Sequence, residues 1–260
     1  MAGTTRRWFL AAAAIAAGFI GHAAHAAEVP VVAAAASLRF VLQDIAADFE
    51  RATGNSVRLT FGATGTLVAQ IENGAPYELL LAADEVSPAK LAAGGLTQEA
   101  PQVFARGALA LVAPKGSAIA LDGALKGLGE AVAQGKIKRV AIANPEVAPY
   151  GAAAKAALIK AGLWDKLADR IVTGENVGQA TQFVSSGAVE AGLVAASLAK
   201  APELAAKLEA VTVDEGMYTP VNHALAVTET ARPVAVEFAR YCLGPEAKGV
   251  FLRHGFLPPG

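Results

Sequence analysis

Three short segments place hydroxyl or small residues where an apolar helical pattern begins: Ser37-Leu38, Gly62 to Thr66, and Asn176-Val177. A helix start leaves about four backbone N–H groups without intrahelical acceptors and carries roughly half a unit of positive charge. It can therefore hold an anion without any formal cation. One such start is ordinarily just a cap. Several on one chain, with no competing catalytic set, point to donors converging on a small anion. Catalytic chemistry has thinner support. Asp84 follows a strand pattern and could serve as a general base, with Glu78 close in sequence. Isolated carboxylates of this kind usually cap helices or form ion pairs. No nucleophile elbow, ordered Ser/His/Asp set or phosphate loop with lysine is present. Cys242 is the single cysteine, so no intramolecular disulfide can form, and it reads as a small buried hydrophobe at a helix end. His22, His25, His223 and His254 show no metal-ligand spacing.

These turns need elements to aim them. Val29 to Ala36 reads as a buried parallel strand. Leu38, Val41, Leu42, Ile45 and Phe49 then mark one helix face, with Ser37 expected at its N-cap. Val57 to Phe61 and Tyr77 to Ala83 read as strands, with a helix carrying Leu67, Val68 and Ile71 that ends at Asn73-Gly74 and another over about 86–93. Further strands are expected over 108–113, 139–143, 171–172, 191–195, 211–213 and 224–227. Further helices are expected over 152–161, 177–186, 233–243 and 245–253. Strands alternating with helices imply an α/β fold with parallel sheets, whose ligands sit at the carboxyl ends of the strands.

Composition sets the outer bounds. Of 260 residues, 54% are hydrophobic and 17% charged, so a packed core forms readily and disorder is disfavoured. The net charge of −1 carries no basic stripe, which argues against nucleic acid as a partner. Residues 1–26 read as a signal peptide. Arg6-Arg7 precede an apolar run from Trp8 to Ile20, too short for a permanent membrane span, and Ala24-His25-Ala26 suits cleavage. Thr5 to Leu10 also resembles a twin-arginine motif, so export by that route or by the general secretory route is left open. Both lead to the periplasm.

The segments Ala33 to Leu38, Phe61 to Pro76 and Ala82-Ala83-Asp84 resemble the periplasmic molybdate-binding proteins of ABC transporters. So do Ala143 to Gly151, Gly162 to Asp165, Gly174 to Val177 and Phe251 to Phe256. The resemblance runs in order through residues 29 to 257. It implies a two-lobed, type II periplasmic binding protein, each lobe a mainly parallel sheet flanked by helices, with the ligand in the cleft between them. Residues 27–106 plus 222–260 would form lobe 1 and 107–221 lobe 2, with hinge strands near Gly107–Ala110 and Val221–Ala224.

Position by position, the family's ligand contacts fall on Ser37 (hydroxyl and N–H), Thr64 (hydroxyl), Tyr150 (loop ligand) and Val177 (backbone N–H). Part of the family carries a ligand tyrosine where this chain has Ala195, and those relatives carry alanine at the position of Tyr150. The resemblance thus implies that Tyr150 supplies the phenol Ala195 lacks, as in the branch with an Ala-Pro-Tyr-Gly loop. The implied function is capture of molybdate or tungstate for an ABC permease with its cytoplasmic ATPase, by a monomer without cofactors. Molybdenum would enter only as the oxyanion, with no direct protein–metal bond. A site made of donors alone should reject protonated phosphate, whose O–H would face another donor. The alternatives are a sulfate- or thiosulfate-type binder of the same fold and, more remotely, an enzyme or a sensory domain.

Overall fold

The computed structural model describes residues 29–259, so the leader expected over 1–26 lies outside the described residues. Among the described residues, ten strands form two five-stranded sheets. The first contains β1 (Val31–Ala35), β2 (Arg58–Gly62), β3 (Leu79–Ala82), β4 (Gln102–Gly107) and β10 (Val221–Val227), in the order β2-β1-β3-β10-β4. The second contains β5 (Leu109–Pro114), β6 (Val140–Ala143), β7 (Ile171–Gly174), β8 (Ala191–Ala195) and β9 (Leu208–Thr212), in the order β7-β6-β8-β5-β9. The two sheets share one design. β10 runs antiparallel to both neighbours in the first, and β5 does so in the second. The remaining strands of each sheet run parallel. Helices cover the faces, so β1, β6 and β8 are buried along their whole length and read as continuous apolar runs.

Register places the strand ends that matter. Ala35 is level with Gly62 on β1 and β2, so the turns after both strands emerge side by side. Ala143 is level with Gly174 on β6 and β7, with the same consequence in the second sheet. The chain leaves the first sheet after Gly107 and enters the second at Leu109. It returns between Thr212 and Val221. Gly107 and Val221 pair with each other, so both crossings lie together beneath the cleft.

The helix Arg39–Thr53 buries Val41, Leu42, Ile45 and Phe49, and Gly54 ends it in the left-handed region at φ 75°. Several elements are not marked by the sequence pattern, among them β4, the helix Lys126–Ala133 and the short helices Ala196–Ala199 and Pro202–Ala205. β4 lacks clean alternation. The helix Lys126–Ala133 is masked by Gly127 and Gly129 and is entered through Leu125 at φ 61°. Asp122 caps this helix by accepting from the N–H groups of Ala124, Lys126 and Gly127. Gly127 cannot carry a side chain, because a Cβ there would sit 2.1 Å from the Ala120 carbonyl oxygen.

Candidate functional site

Ser37, Thr64, Tyr150 and Val177 all line one small cavity between the two sheets. Its free volume is about 10 Å³, room for about one water-sized sphere. Pockets for organic ligands run roughly 300–1,000 Å³, so the cavity as it stands excludes them, and the lobes must part to admit even a small anion. No charged side chain lines it. A second, larger groove of about 420 Å³ opens along the outer edge of the cleft, where Asp84 and Glu146 lie. Two carboxylates make that groove the poorer place for an anion.

Each donor has a distinct origin. Ser37 was expected at an N-cap. It sits instead inside a 3-10 turn, Ala36–Leu38, that runs directly into the helix Arg39–Thr53. The helical start begins earlier than the apolar pattern indicates, so the Ser37 side chain is free of capping duty. As the second residue of that turn, its backbone N–H has no acceptor within the turn. Thr64 opens the helix Thr64–Glu72 and is fully buried. Its Oγ1 accepts the Ala83 N–H at 3.0 Å, which pins the hydroxyl while leaving its hydrogen available to donate. In the second lobe, Asn176 caps the helix Val177–Ser185 by accepting from Gly178 and Gln179 N–H, leaving the Val177 N–H uncapped.

Tyr150 lies at the start of the helix Pro149–Lys160, just after the N1 proline. Its ring is 1% exposed, yet its hydroxyl makes no hydrogen bond within ordinary distance and angle limits among the described residues, only a looser polar contact with Ser37. Burial pushes the phenol's ionisation far above its usual range, Tyr218 adds to the rise, and Ser37 opposes it. The phenol stays protonated and remains a donor. Its oxygen rests against the backbone of Gly107, where a Cβ would lie only 2.0 Å away. Glycine at that crossing is what lets the hydroxyl reach the cavity. Ala195 ends β8 opposite Leu109 and is fully buried, contributing no polar atom.

Two residues missed in the sequence complete the arrangement. His223, fully buried on β10, has Nε2 3.1 Å from Ser37 Oγ and Nδ1 3.2 Å from the Val221 carbonyl oxygen. Its signal was a lone histidine in a strand of otherwise apolar inward positions, Val221, Leu225 and Val227. Ser197 Oγ donates to the Ser37 carbonyl at 2.9 Å from the second lobe. Nothing local in the sequence marks it. A backbone bond from Gly65 N–H to the Val147 carbonyl, at 2.8 Å, also crosses the cleft. The lobes are therefore in contact around the cavity.

The residues considered for catalysis are occupied structurally. Asp84 accepts from the backbone N–H and hydroxyl of Ser87 at the start of the helix Val86–Ala93. Glu78 is paired with Arg232. Cys242 is buried, and desolvation pushes its thiol well up, which keeps it protonated and inert.

Comparison with known proteins agrees with this geometry. A family model described as "Bacterial extracellular solute-binding protein" matches residues 30–257. The molybdate-binding protein ModA of Azotobacter vinelandii is 36% identical over 246 residues, covering 94% of this chain and 95% of its own. A solved structure of the periplasmic molybdate-binding protein of the same organism superposes with a TM-score of 0.79 at 30% identity, covering 89% of this chain and 100% of that one. The sulfate-binding protein SubI from Mycobacterium tuberculosis H37Rv shares the fold at a TM-score of 0.74 and 16% identity, covering 88% and 86%. The chain belongs to the bacterial extracellular solute-binding protein family and is a relative of the ModA proteins.

Proposed function

We propose that this protein captures molybdate, and tungstate equally, in the cavity between its lobes and delivers it to an ABC permease. The observation that carries the reading is the buried Tyr150 hydroxyl, a donor without a well-formed hydrogen bond beside Ser37, Thr64 and the Val177 N–H in a small cavity lined by no charge. A buried donor without a partner costs about 1–3 kcal/mol, a cost a bound oxyanion would remove. Neutral donors from both lobes suit an unprotonated dianion with four acceptor oxygens. Each hydrogen bond to a charged acceptor contributes roughly 1.5–3 kcal/mol, so about six of them support submicromolar binding after association costs.

Family membership supports the remaining parts of the reading. The protein acts outside the cytoplasm as a monomer, without a cofactor and without catalysis, and the closed form is what the permease with its cytoplasmic ATPase recognises. Among the described residues, no helix is long and apolar enough to cross a membrane. The test is calorimetric titration of the mature protein with molybdate, tungstate, sulfate and phosphate. Tight binding of the first two and weak binding of the others is expected. Sulfate bound as tightly as molybdate would overturn the assignment in favour of a sulfate-type binder.

A further inference from the structure

His223 stands one hydrogen bond behind the cavity and does not line it. Its two ring contacts constrain each other. The Val221 carbonyl carries no hydrogen, so the 3.2 Å contact requires the proton on Nδ1. In a neutral ring Nε2 is then an acceptor. The 3.1 Å contact to Ser37 must therefore be the serine O–H donating into the ring. A serine hydroxyl has one hydrogen. In this arrangement Ser37 presents only lone pairs to the cavity, which repel a dianion.

We propose that His223 is a positioning residue for oxyanion capture, turning the Ser37 hydroxyl hydrogen toward the anion by taking up a proton on Nε2 as the anion binds. The inference rests on the molybdate reading above. One proton comes from solvent and ends on Nε2, which then donates to Ser37 Oγ. The serine hydrogen rotates and stays on its own oxygen. The contact with the ligand is through an anion oxygen, so no protein–metal bond is involved. Binding would thus place an imidazolium behind Ser37 and align the hydroxyl at the same time.

The surroundings of the ring leave this role to the ligand. Phe104 and Gly107 face it from β4, Phe256 from the C-terminal segment, and Tyr150 from the second lobe. Tyr150 is the titratable group among these, and it stays protonated. On its own strand only the Val221 carbonyl favours the charged ring, and no Asp, Glu, Lys or Arg acts on it. Burial draws the unliganded ring down to about 3, so it is neutral before the anion arrives. A dianion held by Ser37 would bring a charge that reverses that balance. With the bound-state value above the free one, affinity falls about tenfold per pH unit between the two and levels off above the higher.

Molybdate titrations in buffers of different ionisation enthalpy, at about pH 6.5 and pH 8, count the protons exchanged. Uptake on the order of one proton per molybdate at the lower pH is expected, with affinity weakening as pH rises. The ring nitrogens of His223 should move to imidazolium values in nitrogen-15 spectra on adding molybdate. Binding with buffer-independent heat and an unchanged neutral ring overturns the proposal while leaving the molybdate reading intact. No molybdate binding at all overturns both. His223→Gln should bind without proton uptake, and uptake retained in that variant also overturns the proposal. If the variant does not fold, the spectra of the unaltered protein decide.

Discussion

Replacing Tyr150 with Phe should move affinity and stability in opposite directions. The ring and its packing are kept, and only the hydroxyl is lost. In the unliganded protein that hydroxyl is buried without a well-formed hydrogen bond. Removing it relieves a penalty of about 1–3 kcal/mol. A domain of this size gains roughly 2–4 °C in melting temperature per kcal/mol, so the unliganded variant should melt at least as high as the parent. In the complex the same change deletes one hydrogen bond to a charged acceptor, about 1.5–3 kcal/mol. That corresponds to a roughly 10- to 100-fold weaker Kd. Thermal melts with and without molybdate, beside calorimetry, read both effects. The ligand-induced rise in Tm should shrink although the starting Tm does not fall. Unchanged molybdate affinity would refute the reasoning and leave Tyr150 as a packing residue.

Other positions carry independent expectations. Gly107→Ala places a Cβ 2.0 Å from the Tyr150 oxygen and should displace the phenol, weakening binding and stability together; adding Tyr150→Phe should recover part of the stability, and strictly additive melting shifts would count against the contact. Ser197→Ala removes the bond to the Ser37 carbonyl across the cleft, so Kd should weaken by roughly 2- to 10-fold, for about 0.5–1.5 kcal/mol, and identical calorimetric curves would show that this bond does not hold the lobes together. Burial opposes the charged form of Glu78, but hydrogen bonds and charge from Arg232 outweigh it and hold its carboxyl below the usual range. Its stabilisation is present above the unfolded-state value and is lost as pH falls through the folded one. Denaturant unfolding of Glu78→Gln should therefore differ less between neutral and acid pH than the parent does, and an equal acid sensitivity would contradict the pairing.

Much of the frame was readable because periodicity reports burial. The helices over 233–243 and 245–253 and the strand over 191–195 occupy the expected residues, each being an apolar pattern bounded by proline, glycine or small residues. The Lys126–Ala133 helix was hidden because Gly127, needed for close approach to Ala120, and Gly129 break its pattern. At the site, local chemistry marked Ser37, Thr64 and Val177 as donors at helix starts, and resemblance alone supplied Tyr150. His223 and Ser197 escaped because their partners lie 186 and 160 residues away along the chain, distances no local pattern spans. The Ser37 side chain was assigned to capping, whereas the 3-10 turn sends it to His223 instead.

A crystal structure of the mature protein grown with molybdate addresses the binding mode most directly. One tetrahedral anion is expected in the inner cavity, its oxygens within hydrogen-bond reach of Ser37 Oγ, Thr64 Oγ1, the Tyr150 hydroxyl and the Val177 N–H. An anion seated in the outer groove beside Asp84 and Glu146, or one that leaves the Tyr150 hydroxyl without a partner, would contradict it.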